Sequence, residues 1–281
     1  ERVRMEEMMI QSEKMLTLGG LAAGMAHEIN NPIAGMLQTT QVMRNRLTTR
    51  LTIPANQRAA DAAGVKLEAI ETFMRQRGIH RMLDNTSALA RRVVNTVDNM
   101  LSFARKDDVK VAFHYVDKMI DRTIELAATE YDLKKQYDFK RIKIVKSYDA
   151  HLPAIPCHES KIQQVLLNIL SNGAQAMQTS QTKNPQFDIK AYLDSEHPMV
   201  CIEIKDNGPG MTEDIRKQVF DPFFTTKEKG VGTGLGLSVS YFIITENHRG
   251  ELTVESQPHM GTTFTIRLPL KASTIERAGA E

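Results

Sequence analysis

The hydrophobic pattern of the chain changes its period near residue 106, and this change constrains the fold more than any other feature. Before it, apolar and small residues recur at spacings of three and four in two stripes, over about residues 15–47 and 82–103. Such stripes are typical of helices that pack in bundles. After it, apolar residues alternate in short segments, as they do in strands. We therefore predict two domains, 1–106 and 107–281.

The two stripes predict an antiparallel helical hairpin. One hairpin leaves long apolar stripes uncovered, so we expect two chains to pair into a dimeric four-helix bundle. The inserted segment between the helices, about residues 52–78, is longer than a simple turn. Its first part, TIPANQRAADAAG, contains proline and glycine and is interpreted as an interruption, whereas VKLEAIETFMRQ resumes helical spacing.

Residues 107–281 predict an α/β sandwich with a mixed sheet. Strands are expected in RIKIVKSYD, MVCIEIKD, ELTVES and TFTIRLPL, and helices over about 117–133, 159–177 and 235–247. Helices and strands in this mixture form one layer of each. The predicted fold class is therefore α+β and multidomain, with the helical hairpin first and the sandwich second.

The charge, the cysteine content and the lengths of the apolar runs argue against several classes of protein. The net charge is only +2, so there is no strong electrostatic case for a nucleic acid partner or an anionic membrane surface. Cys157 and Cys201 are too few for a disulfide framework, which favours a reducing compartment. The run LTLGGLAAGMA is far shorter than the roughly 20 apolar residues of a membrane-spanning helix. The opening ERVRMEEMM reads as the middle of a helix, so we expect a fragment of a longer protein.

The sequence MAHEINNPIAGM, residues 25–36, places a histidine on the first helix. With the stripe residues at heptad positions a and d, His27 falls at f, which faces away from the partner helix. Glu28 lies beside it, and Asn31, four residues later, shares its face. On this helix alone, the simpler interpretation is an exposed histidine without a function.

Three further segments suggest a nucleotide site. Asn168 and Asn172 are four residues apart on one predicted helical face, and amide oxygens are suitable ligands for Mg²⁺. Asp206 follows a strand and opens DNGPGM, where its carboxylate is able to accept a hydrogen bond from the amine of adenine. The alternate glycines of KGVGTGLGLS present backbone N–H groups to phosphates. Taken singly, these are an ordinary asparagine pair, turn and linker.

Together and in this order, five segments resemble the kinase region of bacterial sensor histidine kinases. Their ATP-binding fold is shared with gyrase-type ATPases, heat-shock 90 chaperones and mismatch-repair ATPases. HEINNP is similar to the family's phosphoacceptor box, NILSN to its asparagine box, DNGPGM and GTGLGL to its two glycine boxes, and FDPFF to its phenylalanine box. The resemblance covers nearly all of residues 12–270.

The resemblance implies an enzyme of two-component signal transduction. ATP-dependent autophosphorylation of His27 is expected, followed by phosphoryl transfer to an aspartate of a response regulator receiver domain and by phosphatase activity toward that regulator. Glu28 and Asn31 would act with His27 as catalytic residues, and Asn168 and Asn172 would hold Mg²⁺. The ATP-binding residues would be Asn168, Asn172, Asp206, Gly208, Gly210, Lys227, Gly232, Gly234, Leu235, Gly236 and Leu237.

The resemblance also implies a homodimer and a sensor domain upstream of this fragment. The fragment is expected to be cytoplasmic, from a parent that is either soluble or anchored in the bacterial inner membrane. Many family members carry a basic residue where this chain has Gln175 and an alanine where it has Gly173. Two alternatives stay open: a hydrolytic ATPase or conformational clamp of the same fold, and a non-catalytic scaffold that binds nucleotide and a partner.

Overall fold

The chain divides into two compact units, each with its own secondary structure. One unit comprises Leu16–Arg105, and the other contains Lys106–Glu281. The structure, a computed structural model, describes residues 28–49, 53–101, 111–129, 138–227 and 232–271. None of the helices within these ranges is long and apolar enough to cross a membrane.

The first unit is helical throughout its described part. Helix α1 is described over residues 28–44 and continues into a π-helical turn at Asn45–Thr49. The remaining helices are α2 (Pro54–Ala62), α3 (Leu67–Gln76) and α4 (Ile79–Leu101).

Helices α1 and α4 run antiparallel, as the two stripes predict. Ile29, near the first described residue of α1, packs against Val97 in the last two turns of α4. Towards the other end, Arg44 forms an ion pair with Asp84. One contact joins the beginning of α1 to the end of α4, and the other joins the end of α1 to the beginning of α4. The two helices therefore form the predicted hairpin.

The interpretation of TIPANQRAADAAG as an interruption is wrong, because this segment contains α2. Pro54 stands in the first turn of α2, where its missing N–H would lack a helical partner in any case. Gly64, at φ +68°, then turns the chain away after the helix ends. Proline and glycine therefore mark the two ends of a short helix, and α3 follows within a few residues.

The second unit is an α/β sandwich, as predicted. Its mixed sheet has the order β2-β4-β5-β7-β6, with β2 and β4 parallel and the other pairs antiparallel. The strands are β2 (Lys143–Tyr148), β4 (Gln186–Leu193), β5 (Met199–Asp206), β6 (Glu251–Ser256) and β7 (Thr262–Pro269); β1 (Ala112–His114) and β3 (Ile155–Cys157) form a separate antiparallel pair.

Alternation along the strands makes one face of the sheet apolar. Ile189, Ile202 and Ile266 are almost completely buried, whereas their neighbours Lys190 and Glu203 are more accessible. The helices are α5 (Val116–Thr129), α6 (Glu159–Thr179), α7 (Glu213–Gln218) and α8 (Gly236–Phe242), the last continuing as a π-helical turn, Ile243–Asn247. The three predicted helices and four predicted strands are confirmed over their described residues.

In the described part of the second unit, three strands and one α-helix have no counterpart among the predicted elements. β1 and β3 have three residues each, too few to show a period. α7 buries none of its side chains and so lacks an apolar stripe. β4 does alternate Phe187, Ile189 and Ala191, so the sequence contains a signal for it.

His248 joins the end of the π-helical turn to the beginning of α6. It is 7% exposed, and its Nδ1 lies 2.8 Å from the carbonyl oxygen of Ile243. Its Nε2 accepts the backbone N–H of His158, the residue that precedes α6, at 3.1 Å. Because Nε2 is an acceptor, the ring is neutral with its proton on Nδ1. Burial lowers the pKa of His248 below its ordinary 6.5, and the nearby His158 and Lys161 add to this effect.

We expect the free energy of unfolding to depend on pH through His248. The unfolded chain takes up a proton as the pH falls through about 6.5, whereas the folded chain does so only at lower pH. The contribution of His248 to the free energy of unfolding is therefore fully present above about pH 6.5. It is lost as the pH falls from there to the lower pKa of the folded chain, by about 1.4 kcal/mol for each unit between the two pKa values. Urea unfolding at pH 7.5 and 5 should show a larger loss for wild type than for His248→Gln. Equal losses would contradict the expectation.

Candidate nucleotide-binding site

Asn168 connects α6 to the first turn of α8. Its Nδ2 donates hydrogen bonds to the carbonyl oxygen of Gly236, at 3.0 Å, and to Oγ of Ser240, at 3.1 Å. Gly236 packs against the same carboxamide, since a Cβ there would lie 3.6 Å from Cγ of Asn168, an ordinary contact distance. The amide nitrogen therefore holds α8, and Oδ1 is the side-chain atom suited to bind a cation.

Asn172, one turn further along α6, contacts the lysine that follows the FDPFF segment. Nζ of Lys227 donates to Oδ1 of Asn172, at 2.9 Å, and to Oε1 of Gln175, at 2.6 Å. Gly232 lies against the lysine stem, since a Cβ there would be 3.1 Å from Cδ of Lys227. Burial lowers the pKa of Lys227. The structure thus brings together Asn172, Lys227 and Gly232, three of the predicted residues.

Asp206 lies against α6 beside Gly173, the residue that follows Asn172. It ends β5, is 6% exposed, and its Oδ1 accepts the N–H of Gly208 at 2.9 Å. Burial raises the pKa of Asp206, although the backbone N–H groups of Gly208 and Thr262 oppose this effect. The site has a buried carboxylate with acceptor capacity remaining, which suits a ligand amine. Thr262, which pairs with Asp206 across β5 and β7, was not predicted.

The glycines after Asp206 are required by close packing. A Cβ at Gly208 would lie 2.7 Å from Oδ1 of Asp206 and 3.2 Å from Cγ of Met177. Gly210 has φ +67°, and a Cβ there would lie 1.9 Å from the carbonyl oxygen of Gln257. Larger residues at either position would displace the carboxylate or the turn that follows it.

Phe223 of the FDPFF segment and Gly234 of the glycine segment are in contact where the loop between them begins and ends. Both have a positive φ, +64° and +67°. A Cβ at Gly234 would lie 2.4 Å from the carbonyl carbon of Phe223, so the two backbones are in direct contact. Leu235 is fully buried and Leu237 half-buried. The predicted loop is therefore closed at its base, and residues 228–231 within it lie outside the described residues.

The predicted phosphoacceptor His27 also lies outside the described residues. Glu28 and Asn31 are described, and both are exposed on α1. Since neither is buried by the hairpin, both side chains are available for a role on the surface of this unit.

Gly173 makes room for an aromatic ring beneath the site. A Cβ there would lie 2.7 Å from the ring of Phe187 and 3.3 Å from Oδ2 of Asp206. Phe187 is buried and stacks on Phe139, with ring centroids 6.1 Å apart. The departure from the alanine that many family members carry here therefore has a steric cause.

We expect Gly173→Ala to destabilise the protein by up to about 2 kcal/mol. Overpacking of a well-filled core costs about 1–3 kcal/mol, and the gain in helix propensity of about 1 kcal/mol offsets part of it. In a Phe187→Leu background the clash is relieved, so the same change should be neutral or stabilising. A urea-unfolding cycle of the four variants measures this coupling, and additive effects would show that Phe187 is not the cause.

Comparison with known proteins identifies the second unit. Residues 157–272 match the family described as histidine kinase-, DNA gyrase B-, and HSP90-like ATPase. Sporulation kinase E of Bacillus subtilis is 32% identical over 283 aligned positions, which cover 100% of this chain and 32% of that protein. The chain spans only 32% and 38% of the length of Sporulation kinases E and A of Bacillus subtilis.

Two solved structures share the fold over most of the chain. Full-length ShkA in complex with AMPPNP has a TM-score of 0.65 at 20% identity, covering 90% of this chain and 46% of that one. Histidine kinase ThkA in complex with response regulator protein TrrA has a TM-score of 0.54 at 21% identity, covering 95% and 66%. The match of residues 157–272 to the ATPase family and the relatives named as histidine kinases confirm the resemblance of the chain to sensor histidine kinases.

Proposed function

We propose that this chain binds ATP on α6 and transfers its γ-phosphoryl group to His27. The observation that carries the proposal is that Lys227 and Gly232 meet Asn172 on α6. The buried carboxylate of Asp206 lies beside the next residue of the same helix, Gly173. An amine acceptor and a cationic end suit the two ends of an adenine nucleotide. The relatives' names as kinases support phosphoryl transfer as the reaction.

Each end of the nucleotide has its own set of groups. The adenine amine donates to the carboxylate of Asp206, with the backbone of Gly208 and Gly210 beneath the base. The phosphates lie against Asn172, Lys227 and the N–H groups of Gly232 and its neighbours in the loop, Gly234, Leu235, Gly236 and Leu237.

The side-chain oxygens of Asn168 and Asn172 are suited to bind Mg²⁺. The parts of the chain that the structure describes contain no group of three His, Cys, Asp or Glu side chains able to hold a metal, so a cation would rely on amide oxygens and phosphate. Oδ1 of Asn172 already accepts from the ammonium group of Lys227, which shows that this oxygen faces a cation. Mg²⁺ held by Asn168 and Asn172 would offset the charge of the transferring group.

The reaction requires a neutral imidazole and a proton acceptor. A ring nitrogen of His27 attacks the γ-phosphorus, the bond from phosphorus to the bridging oxygen breaks, and ADP leaves. Glu28 accepts the proton from the other ring nitrogen. The phosphoryl group then passes to an aspartate of a response regulator, and Asn31 orients a water molecule for dephosphorylation of that regulator. A response regulator is the partner in the ThkA complex, which supports this partner class.

An apolar stripe on the outside of the hairpin supports a homodimer. The stripe contains side chains of α1 and α4 that are 40–63% exposed in the single chain: Met36, Met43, Met82, Leu89 and Val93. Pairing two hairpins along it would complete a four-helix bundle. This bundle would be the dimerisation and phosphotransfer domain, 1–106, with the catalytic domain at 107–281. A sensor domain upstream, and a cytoplasmic position for this region of the parent, complete the proposal.

Incubation with γ-labelled ATP tests the function. We expect label on the wild-type protein that is lost in acid and persists in alkali, as for phosphohistidine, and no label on His27→Gln. Release of phosphate without labelled protein would instead indicate a hydrolytic ATPase. Binding of nucleotide without either reaction would indicate a scaffold.

A further inference from the structure

Within the described ranges, the side chain of Lys227 forms its hydrogen bonds with α6 and not with its own loop. Lys227 follows the FDPFF segment, yet its ammonium group reaches across to α6 and donates to two side chains there, Asn172 and Gln175. These residues are three positions apart and therefore neighbours on one helical face. The shorter of the two contacts, 2.6 Å, is to Gln175, which has no role in the proposed function.

The charge of Lys227 is not compensated by these partners. Both acceptors are neutral amides, and among the described residues no carboxylate forms an ion pair with this lysine. Burial removes water from the ammonium group, which is why the pKa of Lys227 is lowered. An ammonium group has three donors, and the two amide oxygens use two of them. The ammonium group therefore keeps one donor and its full positive charge for an anionic ligand.

We infer that Gln175 is a positioning residue that holds the ammonium group of Lys227 beside Asn172. The positive charge that binds the phosphates is then supplied by Lys227, which follows the FDPFF segment, and not by a basic residue of α6. Without nucleotide, Lys227 occupies the oxygen of Asn172 and stands in for a metal ion. When phosphates arrive, the ammonium group turns to them and leaves Oδ1 of Asn172 free, while Gln175 keeps the lysine in reach. This inference rests on the proposed function, since it requires adenine nucleotide in the site.

The arrangement has a consequence for the loop. Gly232 lies against the stem of Lys227, and Oγ1 of Thr225 lies 2.7 Å from the place that a Cβ of Gly232 would take. A movement of the Lys227 side chain towards a phosphate would therefore change its contact with Gly232.

Calorimetric titration with AMPPNP and with adenosine, in the presence of Mg²⁺, tests the inference on the whole chain. Lys227→Met should weaken AMPPNP binding roughly ten- to hundredfold, because a charge-assisted contact is lost, and should leave adenosine binding unchanged. Gln175→Met should weaken AMPPNP binding about three- to tenfold, and should have no further effect once Lys227→Met is present. The exchange Gln175→Lys with Lys227→Gln should recover affinity relative to Lys227→Gln alone.

Gln178→Met, a change of an exposed glutamine on the same helix, is the matched control and should leave both affinities unchanged. Circular dichroism of each variant checks that it folds. Equal losses from Gln175→Met with and without Lys227 would overturn the inference alone. Unchanged AMPPNP binding by Lys227→Met would overturn the inference and also remove Lys227 from the proposed phosphate site, while leaving ATP binding itself intact. Failure of the wild type to bind either ligand would overturn the proposed function and the inference with it.

Discussion

Replacement of Asp206 by asparagine should weaken ATP binding by roughly ten- to hundredfold, since a hydrogen bond to a charged group contributes about 1.5–3 kcal/mol. Oδ1 of Asp206 already accepts the N–H of Gly208, so the proposed function assigns the adenine amine to the other carboxylate oxygen. An asparagine keeps one acceptor oxygen and presents an NH₂ group in the other position. Two donors would then face each other in a buried site.

The readout is the affinity for both adenosine and AMPPNP, because the lost contact belongs to the base. This separates Asp206 from Lys227, whose loss should affect AMPPNP alone. Asp188→Asn is a suitable control, since Asp188 lies on the neighbouring strand with its side chain on the other face from buried Phe187. Unchanged adenosine affinity in Asp206→Asn would show that the carboxylate does not recognise the base.

The raised pKa of Asp206 adds a pH dependence to the same contact. Protonation removes an acceptor, so affinity should fall as the pH decreases through the pKa of this carboxyl group. Because burial raises that pKa, the fall should begin at a higher pH than for an exposed aspartate.

Glu28→Gln should reduce the rate of autophosphorylation by about 10²- to 10⁴-fold, the usual contribution of a positioned proton acceptor. An amide cannot take up the proton of the imidazole at neutral pH. Glu28 is exposed on α1, so the change should have little effect on stability. Affinity for AMPPNP should be unchanged, because the contacts described for the nucleotide site belong to the other unit.

The measurement is the initial rate of label incorporation from γ-labelled ATP at saturating nucleotide. Glu68→Gln, which removes an exposed carboxylate from α3, is the control and should retain the wild-type rate. A wild-type rate in Glu28→Gln would mean that another group accepts the proton.

The helical unit shows where periodicity is informative and where single residues mislead. The stripes predicted α1 and α4 because long amphipathic helices repeat one signal over many turns. The pattern does not predict helix α2, because Pro54 indicates an interruption of a helix, although proline is also favoured in a first helical turn. Which of the two meanings applies depends on the residues before it, and a single position does not contain that information.

The sequence by itself determined the order of the long helices and of four strands, the face shared by Asn168 and Asn172, and the glycines of both turns, because these depend on spacing along the chain. The tertiary structure alone decided that Gly173 yields to Phe187, that Thr262 lies opposite Asp206, and that Lys227 crosses to Gln175. Each of these pairs joins residues more than ten positions apart. Contacts of that kind are set by how helix and sheet pack, and no local pattern records them.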